Sequence, residues 1–216
     1  MILPLRSDAD VERALPIVRA HLGQGGLLAY PTETVYGLGS TVDPSALAAL
    51  ARLKGRVKEK PFLLLVADLA MAEGAGLVFN PSAAALARAF WPGPLTVVLP
   101  GGEGRLPDML RGPEGGIAVR HTGHRLMARL IAGLGYPLTS TSANRPGEPP
   151  APGADGIAGI FQEAIAEQRL LVLDGGVLGN VPPSTVVDCT QPMPKLIREG
   201  ALPRAELRQA VGLLAP

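Results

Sequence analysis

Short runs of strand-forming apolar residues alternate with Ala/Leu-rich stretches along nearly the whole chain. That alternation restricts it to the α/β folds, in which helices pack on a buried sheet. Two Asx-Pro pairs, Asp43-Pro44 and Asn80-Pro81, place a capping side chain and a first-turn proline at helix starts. They predict helices over 44–53 and 81–90. Ser7 with Asp10 three residues on predicts a helix reaching His21 and kinked by Pro16. Further helices are expected over 125–134, 155–168 and from Pro203. Strands are expected over 27–30, 62–66, 95–99, 117–120, 137–140, 170–173, 185–189 and 195–198. The last two are joined by a short loop without a helix, so the sheet is expected to be mixed. The run 62–66 is continuously apolar and reads as a central strand.

At 216 residues the chain suffices for one large domain, and no linker or repeat divides it. Lys+Arg 20 against Asp+Glu 19 leaves a net charge of +1, so no global field draws it onto nucleic acid or membrane. Any such contact must use a local patch. The single cysteine, Cys189, excludes an internal disulfide and a thiolate zinc cage, and suits a reducing cytoplasm. The opening residues lack a basic segment followed by an apolar run, and no apolar stretch approaches the roughly 18 residues of a membrane span. No signal peptide and no membrane contact are therefore expected.

Familiar catalytic patterns are missing: there is no GxxxxGK[ST] phosphate loop, no GxGxxG after the first strand and no GxSxG nucleophile elbow. His121 and His124 lack a third metal ligand and read as turn histidines. Three segments instead gather polar groups. The sequence PTETVYGLG (31–39) follows a strand; two threonines, a carboxylate and a tyrosine converge there, as a ligand site or as a locally hydrogen-bonded turn. Arg52, Lys54, Arg56, Lys58 and Lys60 occupy every other position; if extended, all five share one face. Such a row is either solvated or matched to a polyphosphate. Thr139 to Asn144 ends a strand in hydroxyls and an amide, suited to phosphate or ribose, or to a cap. Ser184-Thr185 and Arg198 form a weaker fourth element. Together these segments describe a site for an anionic, nucleotide-like ligand.

The same residues resemble the YrdC family: PTETVYGLG, Lys54-Gly55-Arg56 with Lys60-Pro61, Ser142-Ala143-Asn144, PSTVVD at 183–188 and LIREG at 196–200, all in the family's order. The resemblance implies a single domain with a core over about 8–200 and a C-terminal helix over 203–214. Its fold would be an open, twisted, mixed α/β sheet flanked by helices around a large, positively charged cavity. It also implies a nucleotidyl transfer in which L-threonine, bicarbonate (or CO2) and ATP give L-threonylcarbamoyl-adenylate and pyrophosphate. A downstream threonylcarbamoyl-transferase complex would then modify adenosine 37 of tRNA.

By the resemblance, Lys54 and Arg56 are catalytic and, with Lys60, bind the triphosphate. Ser142 and Asn144 hold the nucleotide, and Arg198 sits near the phosphates or adenine. Thr34, Ser140 and Ser184 bind threonine, and Arg120 takes its carboxylate. Mg²⁺ is expected on the triphosphate, and no protein-held metal. Three departures stand out. Leu65 occupies a position that is histidine in some relatives; Pro146-Gly147-Glu148-Pro149 lacks a serine near the nucleotide; and Arg120-His121-Thr122-Gly123-His124 lacks a middle proline. The segment 145–153 is the expected lid. Two other readings compete: an RNA-binding protein using the same cavity, which would not need Thr34, and a carbamoyl-transfer relative like that in hydrogenase maturation proteins, whose extra segments are not found here.

Overall fold

The computed structural model describes residues 1–55, 61–212 and 214–215. Along the chain these form β1 (Ile2–Pro4), α1 (Asp8–Gly23), β2 (Leu27–Tyr30), β3 (Gly37–Gly39), α2 (Pro44–Lys54), β4 (Leu63–Val66), α3 (Leu69–Gly74), α4 (Pro81–Phe90), β5 (Leu95–Leu99), β6 (Ile117–His121), α5 (Arg125–Leu134), β7 (Leu138–Ser142), α6 (Ala154–Ile160), α7 (Gln162–Ala166), β8 (Leu170–Asp174), β9 (Thr185–Asp188), β10 (Lys195–Arg198) and α8 (Arg204–Val211). Helix starts fall where capping chemistry puts them. The side chains of Ser7, Asp43 and Asn80 accept the backbone N–H of Asp10, Ser45 and Ala83 at the heads of α1, α2 and α4. His124 does the same for α5, accepting from Met127 through Nδ1 at 3.2 Å. The α1 helix runs continuously through Pro16.

The strands form one sheet in the order β1-β8-β2-β3-β7-β4-β6-β5-β9-β10. It is mixed, as expected: β4 lies parallel to β6 and antiparallel to β7, and β9 is antiparallel to β10. The apolar run of β4 is thus central. One face packs Leu64, Val97, Val119 and Val172 against α2, α4, α6, α7 and α8. The other packs Leu28, Tyr30, Leu65 and Leu138 against α1 and α5, through Val18, Leu22, Leu130 and Ile131.

Asp8 ties those two helices together, accepting from Arg125 at 2.7 and 3.0 Å and pairing with Arg129 at 2.6 Å. Hydrogen bonds from Arg125 and then Arg129 hold its pKa down at about 2. A carboxylate whose pKa is depressed on folding stabilises above its unfolded value and loses that contribution as pH falls through the folded one. The Asp8 tie should therefore be intact above about pH 4 and disappear towards pH 2. Asp8→Asn is expected to lower stability slightly at neutral pH, as suits an exposed ion pair, and to converge with wild type towards pH 2, flattening that part of an acid-unfolding curve. An unaltered acid curve would exclude the tie as a contributor.

Several expectations need correction. Arg52 and Lys54 are the last turn of α2, not an extended strand. Two residues on a helix are about 200° apart, so Arg52 points to solvent while Lys54 is buried. The helix expected over 155–168 is two, α6 and α7, broken at Phe161, whose ring enters the core. Gly156 and Gly159 weaken a continuous helix there. β1, β3 and α3 had no counterpart in the expected elements, and β7 extends to Ser142.

Candidate active site

The helices α1 and α5 cover only part of their face of the sheet, and the uncovered part is where the strands turn polar. Along β5, β6 and β9 alternate residues point to the packed core: Leu95, Val97 and Leu99, Ile117 and Val119, Val187. Their neighbours Thr96, Ala118, Arg120 and Val186 line the opposite side. β7 contributes Ser140 and Ser142 to that side. The result is a cavity of about 850 Å³ walled by sheet residues and rimmed by loops.

One wall is the turn between β2 and β3. The Thr32 hydroxyl accepts the N–H of Thr34 and Val35 at 3.2 Å and donates to the carbonyl of Val35 at 2.6 Å, so the segment is a locally hydrogen-bonded turn, and it also lines the cavity. The Tyr36 hydroxyl fixes the turn to the segment after β8, donating to Gly176 O at 2.7 Å and accepting from Gly175 N at 2.9 Å. At the floor Arg120, 4% exposed, donates through Nη1 to Thr34 Oγ1 at 3.2 Å. Its Nε lies 3.8 Å from Glu33 Oε1. Glu33 Oε2 accepts the Thr122 hydroxyl at 2.5 Å. Burial alone would raise the Glu33 pKa, but Arg120, Thr122 and backbone N–H groups outweigh it and leave it below the usual carboxylate value. Burial pulls the Arg120 pKa down, opposed by Glu33.

Opposite stand Thr96, whose hydroxyl meets that of Ser184 at 2.8 Å, and Arg198, which donates to the Ser184 carbonyl at 2.8 Å. Burial and then the neighbouring Arg120 charge lower the Arg198 pKa. Two guanidiniums thus converge on a space with no carboxylate among its described lining residues. At the third side the Lys54 ammonium donates to the carbonyls of Ser142 at 2.8 Å and Asn144 at 2.6 Å, and to the Asn144 side-chain oxygen. Ser142 Oγ donates to that same oxygen at 2.6 Å. Lys54 therefore clamps the end of α2 to the end of β7. Pro146, Gly147 and Pro150 place the segment 145–153 at the rim.

Of the expected site residues, Thr34, Lys54, Arg120, Ser140, Ser142, Asn144, Ser184 and Arg198 all line this one cavity. Arg56 and Lys60, with Lys58, lie outside the described residues. Thr32 and Glu33 stood in the singled-out segment 31–39 without a role of their own, and Thr96 was missed; it is the lone polar residue in LTVVL, a signal that could have marked it. Leu65 pairs in register with Arg120 and is buried against α1 and α5. The Cys189 thiol is buried, which pushes its pKa up to about 12. Among the described residues no three His, Cys, Asp or Glu side chains cluster as a metal site, and no helix is long and apolar enough to cross a membrane.

A family model described as telomere recombination, that of Sua5, YciO and YrdC, matches residues 20–200. The threonylcarbamoyl-AMP synthase of Pyrococcus abyssi is 35% identical over 202 residues, covering 93% of this chain, which spans only 58% of that protein's length. That of Chromohalobacter salexigens is 41% identical over 170 residues, 78% of this chain and 89% of its own. The crystal structure of P. abyssi Sua5 complexed with L-threonine superposes with a TM-score of 0.88 at 32% identity, covering 100% of this chain and 62% of that one. E. coli YciO gives 0.82 at 25% identity over 96% and 98%. Sequence match and backbone agree over nearly the whole length, and the chain belongs to the Sua5/YciO/YrdC family.

Proposed function

We propose that this chain is a nucleotidyltransferase that forms L-threonylcarbamoyl-AMP and pyrophosphate from L-threonine, bicarbonate or CO2, and ATP. The observation that carries the reading is the convergence of Arg120 and Arg198 with the hydroxyls of Thr34, Ser140 and Ser184 on one cavity that lacks lining carboxylates among the described residues. Its family context supports it, since a relative has been crystallised with L-threonine. In this reading Arg120 takes the substrate carboxylate as a planar fork, and Thr34, Ser140 and Ser184 bind the rest of the amino acid. Ser142 and Asn144 hold the nucleotide, and Arg198 and Lys54, with Arg56 and Lys60 by the family resemblance, are assigned to the phosphates. Lys54 adds a positive charge to the nucleotide side, while its ammonium N–H groups fix the wall made by Ser142 and Asn144.

The neutral amine of threonine adds to CO2 and loses a proton to give a carbamate. A carbamate oxygen attacks the α-phosphorus, and pyrophosphate leaves. Such a transfer needs alignment and charge neutralisation more than a protein nucleophile, which suits a site built of guanidiniums and hydroxyls. Mg²⁺ would supply further neutralisation of the phosphates; the described lining holds no carboxylate, so phosphate oxygens and water would hold it. The product is proposed to pass in the cytoplasm to a threonylcarbamoyl-transferase complex that modifies adenosine 37 of tRNA.

The test is pyrophosphate release from ATP. It is expected to require both L-threonine and bicarbonate, and release that ignores threonine would sink the proposal. Valine should be used at least about a hundredfold less well than threonine, because a site that hydrogen-bonds a hydroxyl leaves its own polar groups unpaired against the analogue lacking it. Equal turnover of the two would remove Thr34 and Ser184 from the amino-acid pocket.

A further inference from the structure

The two guanidiniums of the cavity keep different electrostatic company. Behind Arg120, Glu33 Oε1 and Arg120 Nε face each other at 3.8 Å; both atoms are buried and neither has a hydrogen-bond partner. The other carboxylate oxygen is fixed by Thr122, whose hydroxyl in turn accepts the N–H of His124 at the head of α5. Gly123 closes over the Glu33 stem, where a Cβ would lie 3.4 Å from Cγ. Glu33 is thus seated in the scaffold against the guanidinium and is not among the described residues that line the cavity. Arg198 has no such partner: it donates to the Ser184 carbonyl, and among the described residues no carboxylate pairs with it.

Both arginines open on the same cavity, so shape alone does not stop a triphosphate from reaching the Arg120 corner. A guanidinium without a counter-charge is as good a fork for phosphate as for carboxylate. We propose that Glu33 is the specificity-determining residue that divides the cavity by charge. It balances Arg120, so that this corner takes the zwitterionic head of an amino acid and rejects phosphate, which is left to the Arg198 end. A zwitterion brings no net charge to a balanced pair, whereas a polyanion meets the repulsion of Glu33 at short range in a poorly solvated site. Glu33 remains ionised in this environment and acts as a fixed charge rather than a proton carrier. The inference rests on the reading of the cavity as an amino-acid and ATP site.

Calorimetric titration of L-threonine, with and without saturating inorganic pyrophosphate, tests it on the wild type, Glu33→Gln, Glu33→Asp and Arg120→Ala. In the wild type pyrophosphate is expected to change the threonine Kd by less than about threefold. In Glu33→Gln, which keeps the shape and drops the charge, pyrophosphate should compete and raise the threonine Kd at least about tenfold. Glu33→Asp, which keeps a charge but withdraws it by one methylene, should fall between. Melting curves establish that each variant is folded, and should Glu33→Gln not fold, the aspartate variant decides. A wild-type response to pyrophosphate in the folded Glu33 variants overturns the proposal. The functional reading fails separately, if wild type binds no threonine or Arg120→Ala binds it undiminished.

Discussion

Arg120→Ala is expected to reduce kcat/KM for L-threonine by at least about a hundredfold while leaving ATP affinity within a few-fold of wild type. The guanidinium is buried on the cavity floor and donates through Nη1 to Thr34 Oγ1, which fixes its position. A charge-assisted hydrogen bond contributes roughly 1.5–3 kcal/mol, and a bidentate carboxylate loses two of them on truncation. Two such losses correspond to roughly two to four powers of ten, at about 1.4 kcal/mol each. The same truncation strands Glu33 as a buried, uncompensated charge, so the variant should also melt lower. Arg120→Lys separates the two effects: it returns a charge beside Glu33 without restoring the planar fork, so stability should recover further than activity. Threonine kinetics like wild type in folded Arg120→Ala would remove this residue from the amino-acid site.

Gly39→Ala should be the more destructive change to the fold. Gly39 lies on β3 between β2 and β7, and a Cβ there would stand 2.0 Å from the backbone oxygen of Thr139. A carbonyl in a paired strand cannot swing aside as a side-chain tip can, so β3 must separate from β7. Loss of packing and hydrogen bonds on that scale costs about 3–5 kcal/mol, or roughly a 10 °C fall in melting temperature for a chain of this size. Gly23→Ala is the control. A Cβ at Gly23 meets nothing within 4 Å, and it ends α1 in ordinary helical backbone, so its melting temperature should stay level or rise. Equal behaviour of the two variants would rule out the close approach as the reason for glycine at position 39.

Local chemistry made most of the fold legible. Asp43-Pro44 and Asn80-Pro81 carry their own capping hydrogen bonds, and those helix starts landed where the residues placed them. β3 did not, because Gly-Leu-Gly has no strand propensity of its own and is held only by partners on both sides. The row of alternating cations misled for the opposite reason: period two is a strand signal only in a strand, and the strong start of α2 carried helix through Lys54. At the site, residues standing in dense polar motifs were visible from the sequence. Glu33 was in view inside such a motif, but its role depends on Arg120, 87 positions away and brought near only by sheet pairing. Thr96 is similar, since its meaning comes from Ser184 across the β5–β9 pair.

The strand order has a temporal consequence. Ile2 and Leu27 both pair with strand β8, at Val172 and Leu170, and β4 lies between β6 and β7, strands made well after it. At synthesis rates of about 5–20 residues per second, roughly 10–30 s separate the first strand from its sheet neighbour β8. Until then the apolar face of α1 and the edge of β2 wait without their final cover, so folding is governed by distant closures and is slow for a chain of this length. The Ser184–Arg198 side of the cavity depends on late pairings of the same kind. A chain released before β8, β9 and β10 are in place would hold Thr34 and Arg120 but not the Ser184–Arg198 side, and the cavity would exist only once the last strand has docked.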